Sequence, residues 1–194
     1  MQGTHLNRRV QVIAGYPRRQ RTQFYFSSVL HCRFHHETIM KIVFIGDIVG
    51  RPGRRILRES FNRLSEEHHP DLVVANCENA ASGFGVLPEM AEEFFELGID
   101  VLTGGNHTFD RKDILPVFED GAHKGRLLRP ANYPEGVLGS GLYEGHTRTG
   151  IPYAVLNLLG RTFMPPIDCP FKTADRLLET LQNDTKVIVV DIHA

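Results

Sequence analysis

The sequence predicts an α/β fold built on parallel strands from residue 40 onward. Short apolar runs rich in β-branched residues alternate with segments of helical period, in the order β-α-β-α-β. Connections of that kind join parallel strands. The chain has 194 residues, 41% hydrophobic and 23% charged, with 18 glycines, which is ordinary globular material able to bury one core.

Lys41 to Asp47 (KIVFIGD) is a β-branched and aromatic run closed by Gly-Asp, the pattern of a buried strand ending in a turn. Pro52 sits near the start of a segment in which Ile56, Leu57, Phe61 and Leu64 recur at helical spacing, and which stops near His68 to Pro70. Asp71 to Cys77 (DLVVANC) is the second strand. Pro88 to Leu97 sets Met90, Phe94, Phe95 and Leu97 on one helical stripe with Gly98 as its stop, and Asp100 to Thr103 is a short third strand. A helical stretch covers Lys112 to Glu119. The Gly/Pro-rich section 127–151 has no clear period; beyond it come a strand at Tyr153 to Leu159, a helix from Thr173 to Gln182 and a last strand, Lys186 to Asp191.

Residues 1–39 differ from this body. They carry six arginines (Arg8, Arg9, Arg18, Arg19, Arg21, Arg33) against the single acid Glu37, a charge of +5, which leaves −6 on the rest of a chain whose net charge is −1. No helical or strand period is sustained there, so the segment reads as an unstructured extension, with 40–194 as the domain. Three origins stay open for it: sequence upstream of a start at Met40, an organellar targeting segment, or a basic tail. The acidic body lacks the basic footprint of a nucleic-acid binder. Three cysteines with no C-x-x-C spacing fit a reducing compartment, the cytoplasm, and no apolar run approaches the roughly 18 residues of a membrane span. Homo-oligomerisation is left open.

Polar residues gather at the predicted strand ends. The first strand ends in Asp47, the second in Glu78-Asn79, the third in Gly104-Gly105-Asn106-His107 and the last in Asp191-Ile192-His193. In open parallel sheets the ligand crevice lies beyond the carboxyl ends of the strands, so these side chains converge if their strands are neighbours. Carboxylates, a carboxamide and imidazoles form a mixed O/N set suited to Mn, Fe or Zn. Each residue alone has an ordinary alternative: Asp47 as a turn acid, Asn79 as a cap, Asn106 as a left-handed turn residue, His107 and His193 as surface histidines. Glu78 is the hardest to explain away, because a carboxylate directly after an apolar strand is costly to bury without a partner. The glycine loop Gly46 to Gly53 invites a dinucleotide-binding reading, but Ile48 stands where G-x-G-x-x-G needs glycine and Pro52 removes an N–H donor.

The motifs GD-x-x-G (Gly46 to Gly50), N-x-E-N-A (Asn76 to Ala80), G-F-G (Gly83 to Gly85), G-G-N-H-T-F-D (Gly104 to Asp110) and D-I-H-A (Asp191 to Ala194) resemble a bacterial subfamily of calcineurin-like metallophosphoesterases similar to 2′,3′-cyclic nucleotide phosphodiesterases. The resemblance runs from Met40 to Ala194. It implies an αββα sandwich and two divalent cations, iron or manganese ahead of zinc. Asp47 would ligate one cation, Glu78 would bridge both, and Asn106 and His193 would ligate the second. Asn79 and His107 would face the phosphate, with His107 as general acid. Chemically, two cations clamp the phosphoryl oxygens and activate a water, while an imidazole protonates the leaving ribose oxygen. The subfamily also has a later Gly-x-His-x-His element completing both metal sites, and no H-x-H occurs in this sequence after Met40. The expectation is therefore a fold incomplete at its C-terminus and an impaired phosphodiesterase acting on small phosphodiesters. The alternative is a non-catalytic phosphate- or nucleotide-binding module on the same fold.

Overall fold

In the computed structural model, residues 9–14, 28–33, 39–119, 123, 125–181, 184–185 and 187–193 are described. The apolar run around Met40 forms β3 (Ile39–Ile45), after β1 (Arg9–Ala14) and β2 (Ser28–Arg33). Helix α1 (Gly50–His68), β4 (Leu72–Asn76), α2 (Pro88–Leu97) and β5 (Val101–Thr103) follow in the expected order, and β3, β4 and β5 pair in parallel. Alternation along these strands fixes two faces. Val43, Val73 and Ala75 face Leu57 and Phe61 of α1 and Phe94 of α2. Gly98 ends α2 at φ 109°, as its place in the sequence predicts.

After a 3-10 turn and α3 (Leu115–Glu119), the chain forms a second sheet from β6 (Leu142–His146), β7 (Pro152–Leu159) and β8 (Val187–His193). Helix α4 (Pro170–Thr180) connects β7 to β8, which run parallel, and β6 lies antiparallel to β7. Leu177 and Leu178 of α4 cover Leu156, Leu158, Ile188 and Val190 on the outer face. Between the sheets, Ile42, Phe44, Leu72, Val74 and Val101 meet Tyr153, Val155, Val187 and Val189. The layers are helix, sheet, sheet, helix: the αββα sandwich that the resemblance implies.

The strands divide between two facing sheets, as that sandwich requires, so β8 is no neighbour of β3 to β5. Two features depart from the sequence reading. A strand, β6, lies in the section that has no clear period, because only part of its Leu-Tyr-Glu-Gly-His run is buried and a glycine interrupts it. The N-terminal stretch, expected to be unstructured, supplies β1 parallel to β8 and β2 antiparallel to β3, each at a sheet edge. Open edges present unpaired N–H and C=O groups that any extended segment satisfies, and such pairing leaves no mark on local periodicity. The rest of 1–38 lies outside the described residues. So do Gln182, Lys186 and Ala194. No helix among the described residues is long and apolar enough to cross a membrane.

Candidate metal and phosphate site

Asp47 follows β3, Glu78 and Asn79 follow β4, Asn106 and His107 sit on the turn after β5, and His193 closes β8. Because β8 belongs to the facing sheet, His193 reaches Glu78 across the mouth of the sandwich, Nε2 to Oε1 2.9 Å. One ligand atom from each of Asp47, Glu78 and His193 lies within 4.8 Å of the others. Glu78 is only 1% exposed. A carboxylate so buried needs partners. It accepts from Asn79 Nδ2 at 3.0 Å and from the backbone N–H of His107 at 3.3 Å, besides facing His193. The Asn79 carboxamide also donates to Asp47 Oδ2 at 3.1 Å, tying the two carboxylates together. Gly105 makes room for the cluster: a Cβ there would collide with the Glu78 carboxylate and touch the His193 ring.

The electrostatics favour a bound cation. Burial raises the Asp47 carboxyl above the ordinary carboxylate range and the Glu78 charge adds to the rise, against His193, Asn79 and His107. For His193, burial pulls the imidazole down, but the hydrogen bond and charge of Glu78, with Asp47 and Asp191, outweigh it and leave it raised. The one imidazole is bonded to the Glu78 carboxylate and feels the Asp47 charge from further off. That mixed O/N donor set fits a divalent first-row cation, which would supply the missing positive charge.

Of the sequence-predicted residues, Asp47, Glu78, Asn79 and His193 come together directly. His107 joins through its backbone, while its ring Nδ1 lies 2.6 Å from Asp110 Oδ2. Asn106 is half-buried on the same turn. Beneath the cluster is a polar floor to which the sequence reading gave no role. Asp191 is buried and accepts from Thr103 Oγ1 at 2.5 Å and Asn76 Nδ2 at 3.1 Å, and its burial pushes the carboxyl up to about 6. Asn76 and Asn157 both donate to Gly104 O, at 3.2 and 2.9 Å, and Tyr133 Oη–H donates to Gly105 O at 3.0 Å. These bonds hold the Gly104-Gly105 turn where Glu78 requires it. Asp110 and Asn76 both stand inside the quoted motifs, so a signal for them existed. Asn157 and Tyr133 had none, since only the facing of the two sheets brings them here.

An acidic and histidine cluster at the strand ends of an αββα sandwich is the arrangement of the metallophosphoesterases, to which this chain is related. Within that class the chain belongs to the YmdB-like protein family, whose model matches residues 43–194. Over 155 residues it is 41% identical to the 2′,3′-cyclic-nucleotide 2′-phosphodiesterase of Bacillus subtilis (strain 168), covering 80% of this chain and 57% of that protein. Among solved structures it resembles a hypothetical protein from Thermus thermophilus, with a TM-score of 0.70 and 34% identity, over 80% of this chain and 59% of that one. A phosphatase from Mycoplasma pneumoniae aligns with a TM-score of 0.71 and 31% identity, over 80% of this chain and 55% of the other. The chain thus spans little more than half the length of these relatives.

Proposed function

We propose that this chain carries the metal- and phosphate-binding core of a cytoplasmic phosphodiesterase for small phosphodiesters such as 2′,3′-cyclic nucleotides. The observation that carries the reading is the convergence of Asp47, Glu78 and His193 at the strand ends, in a chain 41% identical to a protein named for that activity. Two divalent cations, iron or manganese ahead of zinc, would supply charge stabilisation for the phosphoryl oxygens and a nucleophile at neutral pH. Asp47 would hold the first, Asn106 and His193 the second, and Glu78 would be shared by both. Asn79, whose Nδ2 bonds the Asp47 and Glu78 carboxylates in the metal-free site, would turn an N–H to a phosphate oxygen once cations hold those carboxylates. With Nδ1 engaged by Asp110, His107 keeps Nε2 as the atom that delivers a proton to the leaving ribose oxygen.

One observation favours the second reading, a binding module without turnover. The described residues bring together three ionisable donors, few for two cations. The 194-residue chain should therefore bind Mn²⁺ weakly and hydrolyse 2′,3′-cyclic AMP slowly or not at all. Calorimetric titration with MnCl₂, paired with an assay of nucleotide release, tests both points. Turnover at an ordinary enzymatic rate, on the order of 10 s⁻¹, would remove the impairment claim. Failure to bind either Mn²⁺ or phosphate would remove the site.

A further inference from the structure

We infer that Phe84 is a stacking platform for the nucleobase of the substrate, so that the site selects nucleoside phosphodiesters over phosphodiesters that lack a base. This rests on the phosphodiesterase reading and adds the side chain that would select the base. Phe84 is 53% exposed, although it belongs to the segment that carries Glu78 and Asn79. A large apolar ring held in solvent beside a polar site is the informative kind of exposure.

The loop beneath the ring is built to hold it there. Gly83 N–H donates to Asn79 O at 2.9 Å, Gly85 N–H to Glu78 O at 2.6 Å and Ala81 N–H to Gly85 O at 2.8 Å. Two guanidinium groups grip it from outside: Arg54 donates to Ala80 O, while Arg111 donates from Nε to Phe84 O at 3.2 Å and from a terminal nitrogen to Ala81 O at 3.5 Å. Ser82, Gly83 and Gly85 take φ values of 60°, 89° and 75°, the left-handed conformation that turns the chain outward. The backbone that carries the ring is thus set before any ligand arrives.

Its neighbour determines its use. The Phe84 and His107 rings stand perpendicular, at 85°, with centroids 5.3 Å apart, and the His107 backbone bonds Glu78. In a nucleoside 2′,3′-cyclic phosphate the phosphate and the base hang from one ribose, so a ring one side chain away from the phosphate site is within the reach of the base. Stacking on an aromatic side chain suits every base, and more so the larger purines.

The sequence contains no tryptophan, so Phe84→Trp introduces a single tryptophan whose emission can be read apart from the five tyrosines. In the presence of Mn²⁺, adenosine 3′-monophosphate, which cleavage of the 2′ ester leaves, is expected to quench that fluorescence saturably and inorganic phosphate to leave it unchanged. By calorimetry the wild-type chain should bind the nucleotide about tenfold more tightly than phosphate, the order that base stacking supplies. Phe84→Ala should erase that advantage without changing the affinity for phosphate; Phe84→Leu, which keeps the apolar volume without the π face, should do the same, and Phe84→Tyr should restore it. Equal affinity for nucleotide and phosphate in the wild type, or a loss of both in Phe84→Ala with the fold intact by circular dichroism, overturns the platform alone. Binding of neither probe overturns the phosphodiesterase reading and the platform with it.

Discussion

A carboxylate with 1% exposure is expensive unless positive charge or N–H groups surround it, and Glu78 is met by His193, Asn79 and the His107 backbone. Changing a hydrogen-bonding neighbour of a metal ligand costs about 10- to 100-fold in metal affinity, so Glu78→Gln should weaken Mn²⁺ binding by at least that much while the chain still folds. Calorimetry against the wild type measures it. Gly105→Ala places a methyl group against the same carboxylate and should destabilise the protein by about 1–3 kcal/mol, read as a lower urea midpoint. Asp191 has a pH signature. Its carboxyl sits at about 6 against an ordinary 3.8, so its stabilising contribution is complete below pH 3.8 and is lost as pH rises through about 6. With metal chelated, wild-type stability should fall relative to Asp191→Asn between about pH 4 and 7, by on the order of 3 kcal/mol. Parallel pH curves for the two proteins would contradict this. Sequence showed Asp191 only as a strand-end acid. Its burial became visible once β8 lay against Thr103 and Asn76 of the facing sheet, a relation that no local spacing encodes.

At the scale of elements, the loop from Asn79 to Gly85 is a rigid arm held by two arginines. Arg111→Ala removes its donors to Phe84 O and Ala81 O, and should speed hydrogen exchange at the Gly83 and Gly85 amides while those of β4 stay protected. Uniform exchange across loop and strand would show that the guanidinium adds nothing. Elements with strong local punctuation were readable from the sequence: β3, β4, β5, β7 and β8 are continuous apolar runs, and α2 is bounded by Pro88 and Gly98. Helix α1 begins at Gly50 with Pro52 near its start, as expected, and α4 begins at Pro170, three before the expected Thr173, because proline is at home in a first turn. β6, β1 and β2 owe their place to sheet edges, which periodicity does not see.

The whole molecule assembles its site from two sheets. The sequence reading made convergence of the four polar strand ends conditional on their strands being neighbours; the structure closes the site instead by setting the end of β8 opposite the ends of β3, β4 and β5, so the sandwich must form before His193 meets Glu78. A ligand that binds only this assembled state stabilises the fold through mass action, so millimolar Mn²⁺ should raise the melting temperature, an effect that His193→Ala should abolish. The acidic body, −6 from residue 40 onward, favours cations around the molecule as a whole. The most direct test of the site is the anomalous scattering of a crystal soaked in millimolar MnCl₂. The expected result is a peak bounded by the Asp47 and Glu78 carboxylates and the His193 imidazole; a map with no peak there, or with manganese bound only elsewhere, would contradict the assignment.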